Sequence, residues 1–176
     1  MEPGAVDCKT MIRKCTESDF DVIYEVINDA AQAYKEAIPK DRWKDPYMSP
    51  AELWQEWNDG VVFWGASDND YLIGVMGIQD RGEVTLIRHA YVRSNRRGEG
   101  LGTRLLRYLE STTDKPILVG TWADASWAID FYRKNGYTLL SELEKNQLLR
   151  KYWKIPERQV ESSVVLEKRQ PPSMCK

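Results

Sequence analysis

The sequence predicts a single α/β domain with a mixed, mostly antiparallel central sheet flanked by helices. Apolar residues at helical spacing alternate along the chain with short β-rich segments, which indicates both element types. Three consecutive strand segments are joined by short turns, which is typical of antiparallel hairpins. Strand–helix–strand order follows later in the chain, and such crossovers pair strands in parallel.

The bulk properties suit one compact domain and exclude several classes of protein. The chain has 176 residues, a hydrophobic content of 42% and a net charge of -2, so no global basic surface for nucleic acid is present. The longest apolar runs, such as 61–66, are too short to cross a membrane, and the first ten residues lack the pattern of a signal peptide. Three cysteines without paired spacing indicate free thiols and a cytoplasmic location. With a single histidine, we expect no metal site.

The first half of the domain carries two helices and a group of strands. We expect the domain to cover 10–167, between a flexible start at 1–9 and a flexible tail at 168–176. The run from Ser49 to Glu52 has the serine, the early proline and the glutamate of a capping box, so it begins a helix. The expected elements are a strand at 10–15, a helix capped by Thr16 or Ser18, a loop at 37–48, the helix from Ser49, and strands at about 61–66, 71–79 and 83–92.

The second half alternates helices and strands. Asp124 can cap a helix that Gly136 ends. The expected elements are a helix from about 100, a strand at 116–122, the helix after Asp124, a strand at 137–140, a helix at 142–153 and a last strand at 159–167. The segment 142–156 is an insertion between the last two strands. It would cover an acceptor site, form a homodimer contact or pack as a surface helix.

The stretch RRGEGLGTRLL at 96–106 places Gly98, Gly100 and Gly102 between a strand and a helix. The first N–H groups of a helix are unpaired and attract phosphate, and glycines let a phosphate approach them closely. Arg93, Arg96 and Arg97 would add direct contacts. The alternative is a glycine-rich turn with solvated arginines. The patterns of a P-loop and of a dinucleotide fingerprint are both missing.

Three features resemble the GNAT-type N-acetyltransferases. Arg97-x-x-Gly100-x-Gly102 resembles the Gln/Arg-x-x-Gly-x-Gly/Ala motif of that family. LIRHAYV at 86–92 resembles its fourth strand, and ADASWAIDFYRKNGY at 123–137 resembles its second signature. The element order from 10 to 167 is also similar. The resemblance implies acetyl-CoA as the cofactor and direct acetyl transfer to a primary amine in a ternary complex.

The resemblance also implies the cofactor contacts. Backbone groups of Ala90 and Val92, with Tyr91 between them, would bind the pantetheine arm like an added strand. The residues implied around the pyrophosphate are Arg97, Gly98, Glu99, Gly100, Leu101, Gly102 and Thr103. Ala125 stands where family members often carry an asparagine that contacts the cofactor, so Asp124, Ser126 or water would take over that contact.

The catalytic candidates are an acid and a base. The resemblance implies that Tyr132, near the thioester sulfur, is the general acid, and the alternative is a core aromatic on a buried helical face. His89 and, at the start of the same strand, Glu83 are the candidate bases. Strand alternation would put residues 86, 88, 90 and 92 on one face and His89 on the other, unless a β-bulge shifts the register.

The acceptor pocket is expected from the first helices and the loop between them. Aromatic rings there would shape a pocket and stabilise a cationic amine. The candidate acceptor residues are Tyr34, Trp43, Tyr47, Arg88 and Trp122, and the acids that could attract an amine are Glu36, Asp41, Asp45, Glu52 and Glu56. We favour the amine of a small molecule. The alternatives are a protein lysine or N-terminus, and a non-catalytic sensor that binds coenzyme A.

Overall fold

Seven strands form one sheet in the order β1-β2-β3-β4-β5-β7-β6. The structure is a computed structural model and describes residues 10–171; the expected flexible ends, with Cys8 and Cys175, lie largely outside that range. Every neighbouring pair is antiparallel except β4 and β5, which are parallel. The strands are β1 Met11–Lys14, β2 Val62–Asp68, β3 Tyr71–Asp80, β4 Thr85–Val92, β5 Ile117–Trp122, β6 Thr138–Leu139 and β7 Ser163–Lys168.

Helices cover both faces of this sheet, which confirms the predicted fold class. They are α1 Phe20–Ala31, α2 Pro50–Asn58, α3 Leu101–Glu110, α4 Ser126–Lys134, α5 Glu142–Tyr152 and α6 Glu157–Glu161. Leucines of α3 and Tyr132 of α4 pack with Ile87 and Val119 on one face. Helix α1 packs with Phe63 and Val75 on the other. Helix α5 contributes Leu149 to a third cluster around Leu86 and Leu118, which alternate with Ile87 and Val119 along their strands.

The parallel strands β4 and β5 separate halfway along their length. Their pairing runs from Thr85 opposite Ile117 to Ile87 opposite Val119 and goes no further. Strand β4 continues to Val92 and β5 to Trp122. The sheet therefore opens between the two strand ends, and the cavities described below lie at this opening.

A β-bulge interrupts β4 beside the opening. Val75 of β3 is opposite Tyr91, but Gly77 is opposite Arg88, so His89 and Ala90 together face the single residue Met76. His89 has a positive φ of 52°. The extra residue reverses the alternation after it. The prediction that 86, 88, 90 and 92 share a face is therefore wrong: Ala90 and Val92 pack in the cluster of Ile87, not in that of Leu86.

Several element boundaries differ from the predicted ones. Residues 157–161 form α6, so the last strand begins at Ser163 and not at 159, because Pro156 extends the chain and starts a new helical turn. The N-cap of α4 is Ala125, without a side-chain bond, so Asp124 does not cap it. Lys168 belongs to β7, and its Nζ lies 2.9 Å from Glu110 Oε2.

Candidate active site

An apolar opening lies between β4, α3 and α4. It is a cavity of about 360 Å³, with Ala30 and Ala33 of the first helical segment on one side and Trp127 and Phe131 of α4 on the other. The predicted cofactor residues that line it are Ala90, Tyr91, Val92, Arg97, Gly98, Gly102 and Tyr132. The structure therefore brings the strand, the glycine loop and the α4 tyrosine together around one cleft.

The glycine loop gives this cleft a helix N-terminus. Gly98 and Gly100 have positive φ values of 79° and 76°, a conformation that favours glycine. Gly100 is the N-cap of α3, and no side chain caps the helix there. The first intrahelical bond is donated by Arg104 to Gly100 O at 3.1 Å, so the preceding N–H groups lack intrahelical partners. Such groups suit the phosphates of a nucleotide-like ligand.

The three arginines of this loop already have partners in the chain. Arg93 donates through Nε to Leu72 O at 2.8 Å. Arg96 bridges Glu99 at 2.9 Å and Asp68 at 3.2 Å. Arg97 donates to Ala30 O at 3.2 Å and lines the cavity. Of the three expected phosphate contacts, Arg97 alone stands at the cleft.

Other predicted cofactor residues stand behind the cleft surface. The Leu101 side chain is buried in the core, and Glu99 is held by Arg96. Gly100 and Thr103 belong to the start of α3, where backbone and not side chain would face a ligand. Ala125 is fully buried beside Trp122 and Ala128, so its side chain is a packing element.

Tyr132 lines two cavities at once. It borders the cleft just described and a second cavity of about 120 Å³ between the separated ends of β4 and β5. The side chain is buried, and its hydroxyl has no hydrogen-bond partner within residues 10–171. Burial raises the pKa of this phenol far above its usual value, so it stays protonated and can donate.

The second cavity has aromatic walls. Tyr34, Tyr47 and Trp122 line it as predicted for an acceptor pocket, and Trp153 after α5 adds a further ring. Burial raises the pKa of Tyr34 to about 12. Trp43 does not line this cavity; its ring stacks behind Tyr47 at 6.0 Å between centroids. The inserted segment 142–156 thus packs against the sheet and also supplies part of the wall.

A third, more polar cavity of about 260 Å³ adjoins the second. Six residues line both cavities: Tyr47, Arg88, His89, Trp122, Ile155 and Gln159. On the outer side the polar cavity is lined by Arg42, Lys44, Glu52, Glu56, Asp59 and Lys154. The aromatic cavity therefore continues into a charged one.

Glu56 of α2 meets both residues at the bulge. Arg88 Nη2 lies 3.0 Å from Glu56 Oε2, and His89 Nε2 lies 3.2 Å from the same oxygen, though not at a hydrogen-bonding angle. Burial lowers the pKa of His89 and keeps the imidazole neutral. Burial opposes the charge on Glu56, but its pKa is held below the usual value beside the Arg88 guanidinium, which donates to Glu56 Oε1 at 3.1 Å.

The other candidate base lies elsewhere. Glu83 is exposed in the turn before β4, where Lys151 Nζ is 2.7 Å and the Tyr152 hydroxyl 2.8 Å from its carboxylate. It lines none of the cavities described above. The structure therefore brings His89, but not Glu83, together with Tyr132 around the opening of the sheet.

Two further observations concern the described residues. Within 10–171, no group of three or more His, Cys, Asp and Glu side chains is placed to hold a metal ion. Across the same range, no helix combines the length and apolar character needed to cross a membrane.

The sheet that opens between parallel strands, the helix N-terminus beside it and the buried tyrosine define a site for a phosphate-bearing, extended ligand. Residues 23–137 match the family described as the acetyltransferase (GNAT) family. The chain belongs to this family and is an acetyltransferase that uses acetyl-CoA. No curated protein matches the chain.

Solved structures share the fold at low sequence identity. The PaiA N-acetyltransferase of Thermoplasma acidophilum, in complex with coenzyme A, has a TM-score of 0.68 and 18% identity, over 92% of this chain and 99% of that one. The ribosomal-protein-S18-alanine N-acetyltransferase of Escherichia coli has a TM-score of 0.66 and 15% identity, over 95% and 96%. YncA, a putative acetyltransferase of Salmonella typhimurium with acetyl-CoA, has a TM-score of 0.62 and 17% identity, over 94% and 96%.

Some site residues were not singled out by the sequence pattern. Glu56 was one acid among five, and Trp153 was assigned only to the insertion. Nothing in the local sequence marks them, because each reaches the site through the packing of a helix on the sheet. The bulge at His89 was foreseen only as an exception. A histidine tolerates positive φ better than the β-branched or bulky residues do, and this is the only local signal for it.

Proposed function

We propose that this protein transfers the acetyl group of acetyl-CoA to the primary amine of a small molecule, by direct attack in a ternary complex. The observation that carries this is the aromatic cavity between the ends of β4 and β5, which meets the apolar cleft at Tyr132. An amine in the aromatic cavity and a thioester in the apolar cleft would react at that junction. A walled cavity of about 120 Å³ suits a small amine better than a peptide chain.

The chain's own residues would hold the cofactor in the cleft. The N–H groups at the start of α3, presented by Gly98 and Gly100, would donate to the pyrophosphate. The edge of β4 at Ala90–Val92 is unpaired on the side of β5, so its backbone groups are free to bind the pantetheine amides. The partial positive charge of the helix N-terminus suits a pyrophosphate, and the unpaired edge of β4 suits an extended arm that carries amides.

Tyr132 would act as the general acid. Bound acetyl-CoA supplies an activated acyl group with a thiol leaving group. The Tyr132 hydroxyl has no partner within residues 10–171, and burial raises its pKa, so it keeps its proton. It is therefore available to donate a hydrogen bond, and then the proton, to the leaving sulfur as negative charge develops there. Its place in the walls of both cavities is the geometric support for this role.

His89 would prepare the amine. An amine attacks only in its neutral form, so its ammonium proton must leave. His89 stays neutral because of burial, and its Nε2 faces the carboxylate of Glu56 at 3.2 Å. Glu56 would draw the ammonium group in, and His89 would accept its proton. Glu83 is held by Lys151 outside the cavities, so we leave it out of this mechanism.

A panel of acceptors followed by release of free thiol from acetyl-CoA tests the proposal. The panel holds small primary amines, lysine-containing peptides and peptides with free N-termini. Turnover of small amines above both peptide sets is the expected result. Preference for a peptide set would overturn the small-molecule acceptor, and binding of acetyl-CoA without turnover of any acceptor would favour the non-catalytic sensor.

A further inference from the structure

Arg42 lies in the loop before α2 and lines the polar cavity. Its Nε is buried, and within residues 10–171 its side chain has neither a hydrogen bond nor an ion pair. A buried guanidinium N–H without an acceptor is costly. Arg107 and Arg133 also lack partners in the described part of the chain, but both are exposed to water, which satisfies them. The Nη groups of Arg42 are not buried and also lack partners within residues 10–171, so the guanidinium can meet an acceptor group that enters the polar cavity from outside the chain.

The other cations of the polar cavity are already neutralised. Lys44 pairs with Glu52. Lys154 lies 2.7 Å from Asp59, and Arg88 lies 3.0 Å from Glu56. These pairs cancel in charge, so Arg42 leaves the cavity with an excess positive charge. The loop that carries Arg42 is also fixed in place, because the neighbouring Asp41 accepts two hydrogen bonds from Arg158 of α6.

The polar cavity continues into the aromatic one through shared walls. A ligand that reaches Arg42 can therefore extend past His89 toward Tyr132. At the inner end, Glu56 Oε2 is buried and accepts no hydrogen bond within residues 10–171, so it can accept one from an amine. At the outer end, the guanidinium fork suits a carboxylate, which it binds through two parallel hydrogen bonds. The unused acceptor oxygen of Glu56 and the guanidinium of Arg42 thus suit a ligand that carries an amine followed by an acid.

We infer that the acetyl acceptor is an amino-carboxylate whose carboxylate binds Arg42 while its amine reaches Glu56 and His89. This inference rests on the proposed function and narrows its substrate class. Arg42 is a specificity residue in this scheme and takes no part in the chemistry. Its loss should therefore raise KM for the acid-bearing acceptor and leave kcat nearly unchanged.

The test uses pairs of acceptors that differ only in the carboxylate: lysine and 1,5-diaminopentane, 4-aminobutyrate and propylamine, alanine and ethylamine. A third arm replaces the carboxylate of each acid by a phosphonate. Each compound is measured with the full-length protein, Arg42→Ala, Arg42→Lys and the control Arg133→Ala. Thiol release from acetyl-CoA is the readout, with the melting temperature of each variant as a check on folding.

We expect kcat/KM for at least one carboxylate to exceed that of its partner amine about tenfold or more, as one charge-assisted hydrogen bond allows. Arg42→Ala should abolish that preference through KM, Arg42→Lys should keep part of it, and Arg133→Ala should keep all of it. Equal turnover within every pair, a preference that survives Arg42→Ala, or a stronger preference for phosphonates would overturn the inference. Those results leave the acetyl transfer itself intact, whereas silence with every acceptor would overturn the proposed function as well.

Discussion

Tyr132 lines both the apolar cleft and the aromatic cavity, as Tyr34, Ala90 and Tyr91 also do. We expect Tyr132→Phe to lower kcat roughly a hundredfold, because the change removes one proton donor and little volume. The melting-temperature rise caused by acetyl-CoA should persist. Steady-state kinetics and thermal shifts on the same preparation measure both effects.

Tyr137 provides the matched control. It is also buried, its ring lies 5.5 Å from that of Tyr132, and its hydroxyl donates to Glu110 at 3.1 Å. Tyr137→Phe should lower stability by about 1 kcal/mol and leave kcat unchanged. Unchanged turnover in Tyr132→Phe, or an equal loss in both variants, would remove Tyr132 from the mechanism.

At the scale of elements, the glycine loop and the start of α3 form the proposed binding site for the pyrophosphate of acetyl-CoA. Acetyl-CoA at a hundredfold excess over its Kd should raise the melting temperature by about 5–10 °C. We expect Gly100→Glu to abolish this shift, because its carboxylate would repel the phosphates that the helix N-terminus attracts.

Gly82 controls for the backbone strain in that variant. Its φ of 79° is close to the 76° of Gly100, and an added Cβ meets nothing within 4 Å at either position. Gly82→Glu should therefore cost a similar amount of stability, about 1–2 kcal/mol, and keep the acetyl-CoA shift. A shift retained in Gly100→Glu, or lost equally in both, would contradict the assignment of this loop.

The bulge of β4 depends on a small residue in β3. A Cβ on Gly77 would lie 2.6 Å from Val61 Cγ1 and 2.9 Å from the backbone oxygen of Arg88. Gly77→Ala should therefore destabilise the fold by about 1–3 kcal/mol in denaturant unfolding. In Gly120→Ala the nearest atoms would lie at 3.5 Å, in ordinary contact with Trp153, so no comparable loss is expected. Equal stability of the two variants would show that the sheet tolerates a side chain beneath the bulge.

Strand β4 also shows which features of the fold could be predicted from the sequence and which could not. The position of β4, its antiparallel pairing with β3 and the glycine loop after it were predictable from local periodicity and turn residues. The faces of its last residues were not, because one extra residue at His89 reverses the alternation and depends on packing against Met76 and Gly77. Helix α6 was missed for a similar reason. Its apolar Val160 reads equally well as part of a strand, and only the fold places it against α5.

At the scale of the whole molecule, the strand pairing within the sheet determines where the candidate site lies. Strands β4 and β5 pair with each other up to Ile87 and Val119, and beyond that point no pairing between them closes the sheet. The separation leaves room for ligands on both sides of Tyr132. The proposed cofactor residues are marked by sequence motifs, whereas the proposed acceptor residues come from distant segments of the chain. The cofactor candidates can therefore be predicted from the sequence, whereas the acceptor candidates are brought together only by the fold.

The pH dependence of the whole domain's stability should report on His89, which is buried beside Glu56 at the opening between β4 and β5. His89 is the only histidine of the chain. Burial lowers its pKa below the usual 6.5, and the charge of Arg88 acts in the same direction, while Glu56 opposes the shift. At low pH the unfolded chain binds a proton that the folded chain does not. The contribution of His89 to the free energy of unfolding is therefore fully present above about pH 6.5 and falls as the pH decreases. Between pH 6.5 and 5 we expect a loss of about 1 kcal/mol, within the limit of 1.36 kcal/mol per pH unit for one group.

Urea unfolding at several pH values should show this slope in the natural protein and little slope in His89→Gln. Carboxylates with lowered pKa, such as Asp19, lose their contribution only at lower pH, below their usual value of 3.8, and should affect both proteins alike. An equal slope in both proteins between pH 6.5 and 5 would show that His89 is not held neutral by the fold.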